Sequence, residues 1–358
     1  MCVCDSDGPA VPRVLCASRD AFVRSLALVA SLAPRDGRRD AAACDEMLRH
    51  AEAACERHLG MLGCNSSLRT ALSNDLLLLV CAVRVAVLWD YWTLDGVVEN
   101  DGGWSTNGSA IQLSQLLSFL DDLKASAPEA AVLEAICIGA SVFVVNAAAL
   151  RRQLERSPGA ELGDAELVAV DAHLPAPRLC SEEERHGVCA ALSELAATLL
   201  DAWMLADARR SRPDGRGRQP SELLVRLPCP RPARLMVAVH GWLLGYPSVY
   251  CHAEAAAASG ALSDGPAAGD ASCLGGHALS VCVVTAQPRA APGTAPAAPP
   301  AAHRVCSFSL PAASGAPLER PSVHAWWAAM RARFAECAAL WEAPRLEVQV
   351  RDGIGVTL

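Results

Sequence analysis

Lysine is almost missing from this chain: of 31 lysine and arginine residues among 358, only Lys124 is a lysine. With alanine, arginine, glycine and proline all plentiful, the bias reflects GC-rich coding more than function, so alanine runs carry little weight. Net basic charge is missing too. The formal charge of -8 opposes attraction to phosphate backbones. The one basic stretch, RRSRPDGRGR from Arg209 to Arg218, holds Pro and Gly and no aromatic, and it reads as a solvated loop. Nucleic acid is therefore not an expected partner.

Several motifs are absent as well, and each absence removes a chemistry. Without a CxxC pair there is no zinc site of the usual close spacing. Without HExxH there is no helical metalloprotease pair. Without GxGxxG, GxxxxGK[ST] or GxSxG, nucleotide cradling and α/β-hydrolase chemistry lack their first requirement. No cofactor is implied. The amino terminus MCVCDSDGPAVPR lacks a basic region followed by an apolar core, so a secretory signal is not expected. The most apolar run, 76–89, is interrupted by Arg84 and falls short of the roughly 20 residues of a membrane span. These features predict an intracellular, cytoplasmic protein without a membrane span.

What is abundant is cysteine, sixteen residues in all. Cys81, Cys137, Cys282 and Cys306 sit in apolar segments of a long chain, which predicts reduced, buried thiols rather than a disulfide framework. The sequons at Asn65 and Asn107 then meet no glycosyltransferase. Cys2 and Cys4 are open to acylation but lack a partner signal.

Hydrophobic patterning predicts helices from Ser18 to about residue 33, over 45–62 and over 111–123, the last closed by Pro128. It predicts strands over 83–92, 132–138, 142–146 and 166–173, with a short helix at 147–155. Ser181 and Glu184 form a capping box opening a helix through Asp207. A buried helix in 233–246 stops at Pro247, followed by the strand SVYCH. Strands at 277–286 and 304–311, a helix at 322–341 and a strand at 346–350 complete the chain. Strands alternating with helices predict an α/β fold: a mixed, partly parallel sheet with flanking helices. The expected organisation is a helical extension over 1–75 and one domain over 76–358, with mobile loops near 209–220, 253–276 and 287–302.

The segment LLGYPSVY (243–250), the two-stranded segment with SFSLP (307–311), a Trp-rich helix and a short terminal strand together resemble an uncharacterised vertebrate family. VAVLWD (85–90) and VFVVNAAALRRQLE (142–155) also fit its pattern. That family is a domain of unknown function defined by an open reading frame on human chromosome 1. The resemblance spans residues 76–358. Departures are Trp89, where tyrosine is expected, and the Ala/Pro-rich insertion at 287–302. The resemblance implies a shared fold and no activity.

A ligand in such a sheet binds outside the carboxyl ends of parallel strands. The polar residues placed there are Asp90, Asp95, Asn146, Asp171 and His173. Asp90, Asp171 and His173 are the catalytic candidates, able to hold Mg²⁺ or do acid–base work if they converge. Equally, polar residues at strand ends cap the turn or helix that follows. Asp90 is not followed two residues later by a second aspartate, since Trp92 stands there, which disfavours a phosphotransferase. Cys180, His186 and Cys189, the set Cys273, His277 and Cys282, and the pair His50 and His58 have ligand types but no metal-site spacing.

The stretch HGWLLGYPSVYCH (240–252) gathers two tyrosines, two histidines and a cysteine. Core packing accounts for each type. Cys251 as a nucleophile paired with His240 or His252 is the sharper reading, although neighbours on a strand point to opposite faces. In the helix 322–341, Trp326, Phe334 and Trp341 share a side, and an exposed Trp327 would turn that helix into a surface for a protein partner. With no strong catalytic motif present, the expected function is non-catalytic binding or scaffolding. The alternative is a small-molecule or metal-dependent enzyme at the strand carboxyl ends.

Overall fold

A computed structural model describes residues 41–59, 66–89, 99–100, 103–104, 109–155, 165–171, 173–210, 224–227, 235–252, 273–274, 277–289 and 301–351. The helix expected from Ser18, both Cys2 and Cys4, Asn65 and Asn107, Asp90 and Asp95, and most of the three expected mobile loops lie outside the described residues.

Two helices come first, α1 (Ala41–Leu59) and α2 (Ser66–Val80). The apolar run 76–80 is therefore the end of a helix, and residue 75 lies inside it. The strand expected over 83–92 starts three residues late, as β1 (Ala86–Leu88), and residues 90–92 lie outside the described residues. The physical reason lies just upstream, where the chain must leave α2 before it can extend. The amides of Val83 and Arg84 both turn back to the Leu78 carbonyl, at 3.0 and 3.2 Å, around Ala82, which sits at φ 54°. A two-residue pair follows, β2 (Glu99–Asn100) and β3 (Gly103–Trp104), before helix α3 (Ser109–Ser126).

Strands β4 (Leu133–Ile138) and β5 (Ser141–Asn146) meet expectation in position, but they form an antiparallel hairpin about Gly139, which has φ 57°. Helix α4 (Ala147–Glu155) and β6 (Glu166–Ala169) follow, then β7 (Arg178–Leu179) and the long helix α5 (Glu182–Arg210). Next come β8 (Val225–Leu227), α6 (Met236–Leu243) and β9 (Ser248–Cys251). The chain continues with β10 (Leu279–Ala286) and β11 (His303–Pro311). It closes with α7 (Pro321–Glu336) and β12 (Arg345–Arg351).

The fold is α/β with mixed sheets and flanking helices. The described strands form separate sheets, ordered β1-β5-β4-β8, β7-β6-β9 and β11-β10-β12, besides the β2-β3 pair. The parallel portion consists of β4 with β8 and β6 with β9. All six residues of β4 are buried, and so are the last five of β5. One face of this hairpin sends Ala135, Cys137, Val142 and Val144 into a core with α1, α2, α3 and Phe334 and Trp341. The other sends Ile136, Ile138, Phe143 and Val145 into a second core with α4, α5, α6 and β9.

Helix α5 corrects one sequence expectation. Its segment Glu182–Ala208 is long and apolar enough by length and composition to cross a membrane. Much of that apolarity is alanine. Val188, Leu192, Leu195, Ala196, Leu199 and Trp203 form a buried stripe at helical spacing, while Glu194 and Asp201 face outward. One stripe of the helix therefore packs on a sheet face, while Met204 and Leu205 on its outer side are exposed.

Helix α7 is shorter than the 322–341 expected: it ends at Glu336, and the chain turns so that Trp341 meets Phe334 edge-on at 6.1 Å.

Two backbone positions test these turns in opposite senses. Ala82 pays the steric cost of a left-handed residue, whereas Gly245, with φ 69° between α6 and β9, avoids it. Because that cost is about 1–2 kcal/mol, Gly245→Ala should destabilise the protein by about that much in urea denaturation. Ala82→Gly should stabilise it by up to about 1 kcal/mol. Changes of the same sign in both variants would contradict these turn conformations.

Candidate functional site

The three-stranded sheet β7-β6-β9 carries the most reactive chemistry among the described residues. β6 lies centrally, parallel to β9 and antiparallel to β7. After β7 the Cys180 amide donates to the Leu167 carbonyl at 2.9 Å, which carries the ladder to the doorstep of α5. The expected capping box forms: the Ser181 amide donates to Glu184 Oε2 at 2.7 Å, and the Glu184 amide donates to Ser181 Oγ at 3.3 Å. Arg178 then donates both guanidinium nitrogens to the same carboxylate, at 2.6 and 2.7 Å. This fork holds the Glu184 carboxyl down at about 2.

Cys180 is thus fixed next to the Ser181 cap of a 29-residue helix whose first turn carries Glu182, Glu183 and Glu184. Its Sγ lies 3.3 Å from Cys251 Sγ, at the end of β9. Cys180 is half-buried and Cys251 is buried. A cleft of about 430 Å³ opens on the Cys180 side, lined also by Glu166, Leu179, Arg185, Pro321 and Ser322. At its polar wall Glu166 is paired with Arg320 and accepts from the Ser322 hydroxyl at 2.8 Å, while Arg185 donates to the Ala165 carbonyl at 3.1 Å.

Of the candidates at the strand ends, Asp90 and Asp95 fall outside the described residues. Asp171 follows β6 and is buried, whereas His173 is exposed. The imidazole beside Asp171 is that of His252, with Nδ1 3.6 Å from Oδ1. Asn146 is a structural residue: its Oδ1 accepts from the Ala149 amide at 2.9 Å, capping α4, and its Nδ2 donates to the Leu79 carbonyl at 2.8 Å.

The stretch 240–252 is mostly core. His240 shares a 2.8 Å hydrogen bond with Ser141 and lies edge-on to Phe143, and burial pushes its pKa down. Tyr246 packs against Phe308, with ring centres 5.9 Å apart. Tyr250 lies 3.2 Å from the Ser309 hydroxyl, and burial raises its phenol to about 12. Cys251 contacts Cys180, a partner that reading the sequence missed because 71 residues separate the two.

Among the described residues no group of three or more His, Cys, Asp or Glu side chains could hold a metal ion. His50 pairs with Glu46 at 3.0 Å, and His58 with Asp122 at 3.1 Å. A second cleft of about 800 Å³ between α2, β1 and β11 is lined by Asp75, Arg84 and His303, in which Asp75 Oδ1 accepts from His303 Nε2 at 3.0 Å.

The model of a protein family, a domain of unknown function named DUF4504, matches residues 60–351. The chain belongs to that family. The DUF4504 match takes in α2 through β12, and so includes Cys180, Cys251 and the whole of the carboxyl-terminal sheet. It begins sixteen residues earlier than the span of 76–358 expected from the motifs. No curated protein and no solved structure matches the chain.

The Arg178–Glu184 fork yields a signed pH effect. The folded carboxyl titrates near 2 against an ordinary 4.5, so its contribution is complete above the ordinary value and is lost as pH falls toward 2. The melting temperature of Glu184→Gln should lie below that of the wild type at pH 7, and the gap should narrow steadily below pH 4.5. A gap independent of pH across that window would refute the pairing.

Proposed function

We propose that this member of the DUF4504 family is a non-catalytic binding protein that assembles through the edge strand β12. One observation carries the reading: Val348 and Val350 stand 40% and 66% exposed on a strand at the rim of its sheet. Their cross-strand neighbours in β10 are Cys282 and Ser280, both buried. The apolar face of the sheet therefore continues past its cover and ends in two bare valines. Long apolar edges invite strand addition unless they are blunted.

A second copy of the chain fits this edge. Antiparallel pairing centred on Gln349 sets Val348 opposite Val350, and on the other face Glu347 opposite Arg351, each pair occurring twice. Apolar and opposite-charge pairs directly across strands contribute roughly 0.2–1 kcal/mol each. Helix α7, the partner surface expected from sequence, presents mainly Ala, Arg and His residues outward. Its Trp327 is half-buried and stacks on Trp326 at 6.4 Å.

The alternative is a small-molecule or metal-dependent enzyme at the strand ends. It draws support from the Asp171–His252 pair, but neither residue lines the adjoining cleft.

Sedimentation equilibrium over a concentration series tests the assembly. The wild type should dimerise, and Val350→Lys should be monomeric. Glu347→Arg and Arg351→Glu should each weaken the dimer about tenfold, and the double exchange should restore it. A monomeric wild type, or single variants as tight as the wild type, would remove β12 as the docking edge.

A further inference from the structure

We infer that Cys180 and Cys251 form a peroxide-reactive dithiol that closes to an intramolecular disulfide within the 430 Å³ cleft. The inference is independent of the assembly proposed at β12. Three features of the geometry carry it. The two sulfurs are in contact at 3.3 Å, so a bond of about 2.05 Å requires the pair to close by only about 1.3 Å. The two thiols also differ in access, since Cys180 lines the open cleft and Cys251 is buried behind it at the end of β9. Finally, Arg178 stands near Cys180, and the cleft that Cys180 lines holds Arg185 and the first residues of α7. The two guanidinium groups favour negative charge on an attacking sulfur and on a departing oxygen, against the acidic first turn of α5.

The ionisation of the pair agrees with this division of labour. The hydrogen bond with Cys251 holds Cys180 below the ordinary thiol range against the opposing effect of burial, with Arg178 adding to the lowering and Glu184 and Asp171 opposing it. The same bond, together with burial, pushes Cys251 up. Cys189, two turns into α5 and also half-buried, is the internal contrast, because burial raises its thiol.

The reactant class is a small hydroperoxide. The Cys180 thiolate attacks one peroxide oxygen and the O–O bond breaks. The leaving oxygen takes a proton and departs as water or an alcohol, leaving Cys180 as a sulfenic acid. Cys251 sulfur then attacks Cys180 sulfur, forming the S–S bond and breaking the S–O bond. The Cys251 proton leaves with the hydroxide as a second water. Two thiols lose two electrons in total and the peroxide gains two. Two equivalents of a low-molecular-weight thiol return the dithiol and leave as their own disulfide.

The test uses the full chain and hydrogen peroxide, followed by acid quenching, alkylation and peptide mass spectrometry. The expected product at low peroxide excess joins the peptide containing Cys180 to the one containing Cys251. In Cys251→Ser, a sulfenic-acid trap such as dimedone should label Cys180 at least tenfold more than Cys189. In Cys180→Ser no residue should gain that label above the Cys189 level. Circular dichroism and melting curves confirm that each variant is folded. If either variant fails to fold, the wild-type alkylation rates at pH 7 decide, and Cys180 should react at least tenfold faster than Cys189. Joining of other cysteines before this pair, or equal reactivity at Cys180 and Cys189, would overturn the assignment.

Discussion

Both hydrophobic cores depend on one antiparallel hairpin that is covered on its two faces. Side chains alternate along β4 and β5, so a single run of apolar residues supplies both cores at once. The smaller Ala135 and Cys137 face α1, α2 and α3, whereas Ile136, Ile138 and Phe143 face α4, α5 and α6. Burying a large aliphatic or aromatic side chain is worth about 1.5–3 kcal/mol, so shifting the register by one residue would exchange the two sets and misfit both cores. The charged residue in this run, Glu134, is buried on the second face and accepts a 2.6 Å hydrogen bond from Trp203 Nε1. A buried carboxylate without partners would cost several kcal/mol, so that bond ties helix α5 to the hairpin.

The cleft inherits its geometry from this arrangement. Near its carboxyl end α5 is held by Trp203 against Glu134, and by Arg151, which lies 5.0 Å from the centre of the Trp203 ring and pairs with Asp207 at 2.8 Å. At its amino end it is held by Ser181, Glu184 and Arg178. A helix fastened at both ends fixes its cap Ser181 and, through it, the neighbouring Cys180. Cys251 arrives from another direction, through β9 and its parallel pairing with β6. Two long-range constraints, helix docking and strand pairing, thus bring the sulfurs together.

The carboxyl-terminal sheet shows the opposite condition, an incomplete one. Its apolar face is buried along β11 by Phe308 and Leu310, which pack with Val323 of α7, and along β10 by Cys282 and Val284. Trp326 crosses Phe308 edge-on at 5.0 Å and donates its indole N–H to the Gly245 carbonyl at 2.8 Å. This cover stops before the far half of β12. The LLGYP turn serves the same packing, since Gly245 supplies the left-handed bend and Tyr246 the ring against Phe308.

Local features were legible in the residues alone. Ser181 and Glu184 three apart specify a cap, Pro128 closely follows the end of α3, and apolar stretches locate β4, β5, β9, β10 and β11 to within a few residues, because each signal acts over one turn or one pleat. The helix expected to run to Pro247 ends instead at Leu243, before the left-handed Gly245. Asp171 was placed correctly at the end of β6, but its neighbour His252 was not foreseen. Strand partners and directions were not legible, and neither was the late start of the strand expected from residue 83, which the turn out of α2 imposes. Composition and short-range pattern determined the α/β class, the elements and the cysteine-rich interior. Which thiol touches which, and which strand is left at the rim, were decided only when segments about 70 residues apart were packed together, because that choice rests on the fit of whole surfaces and leaves no trace in local spacing.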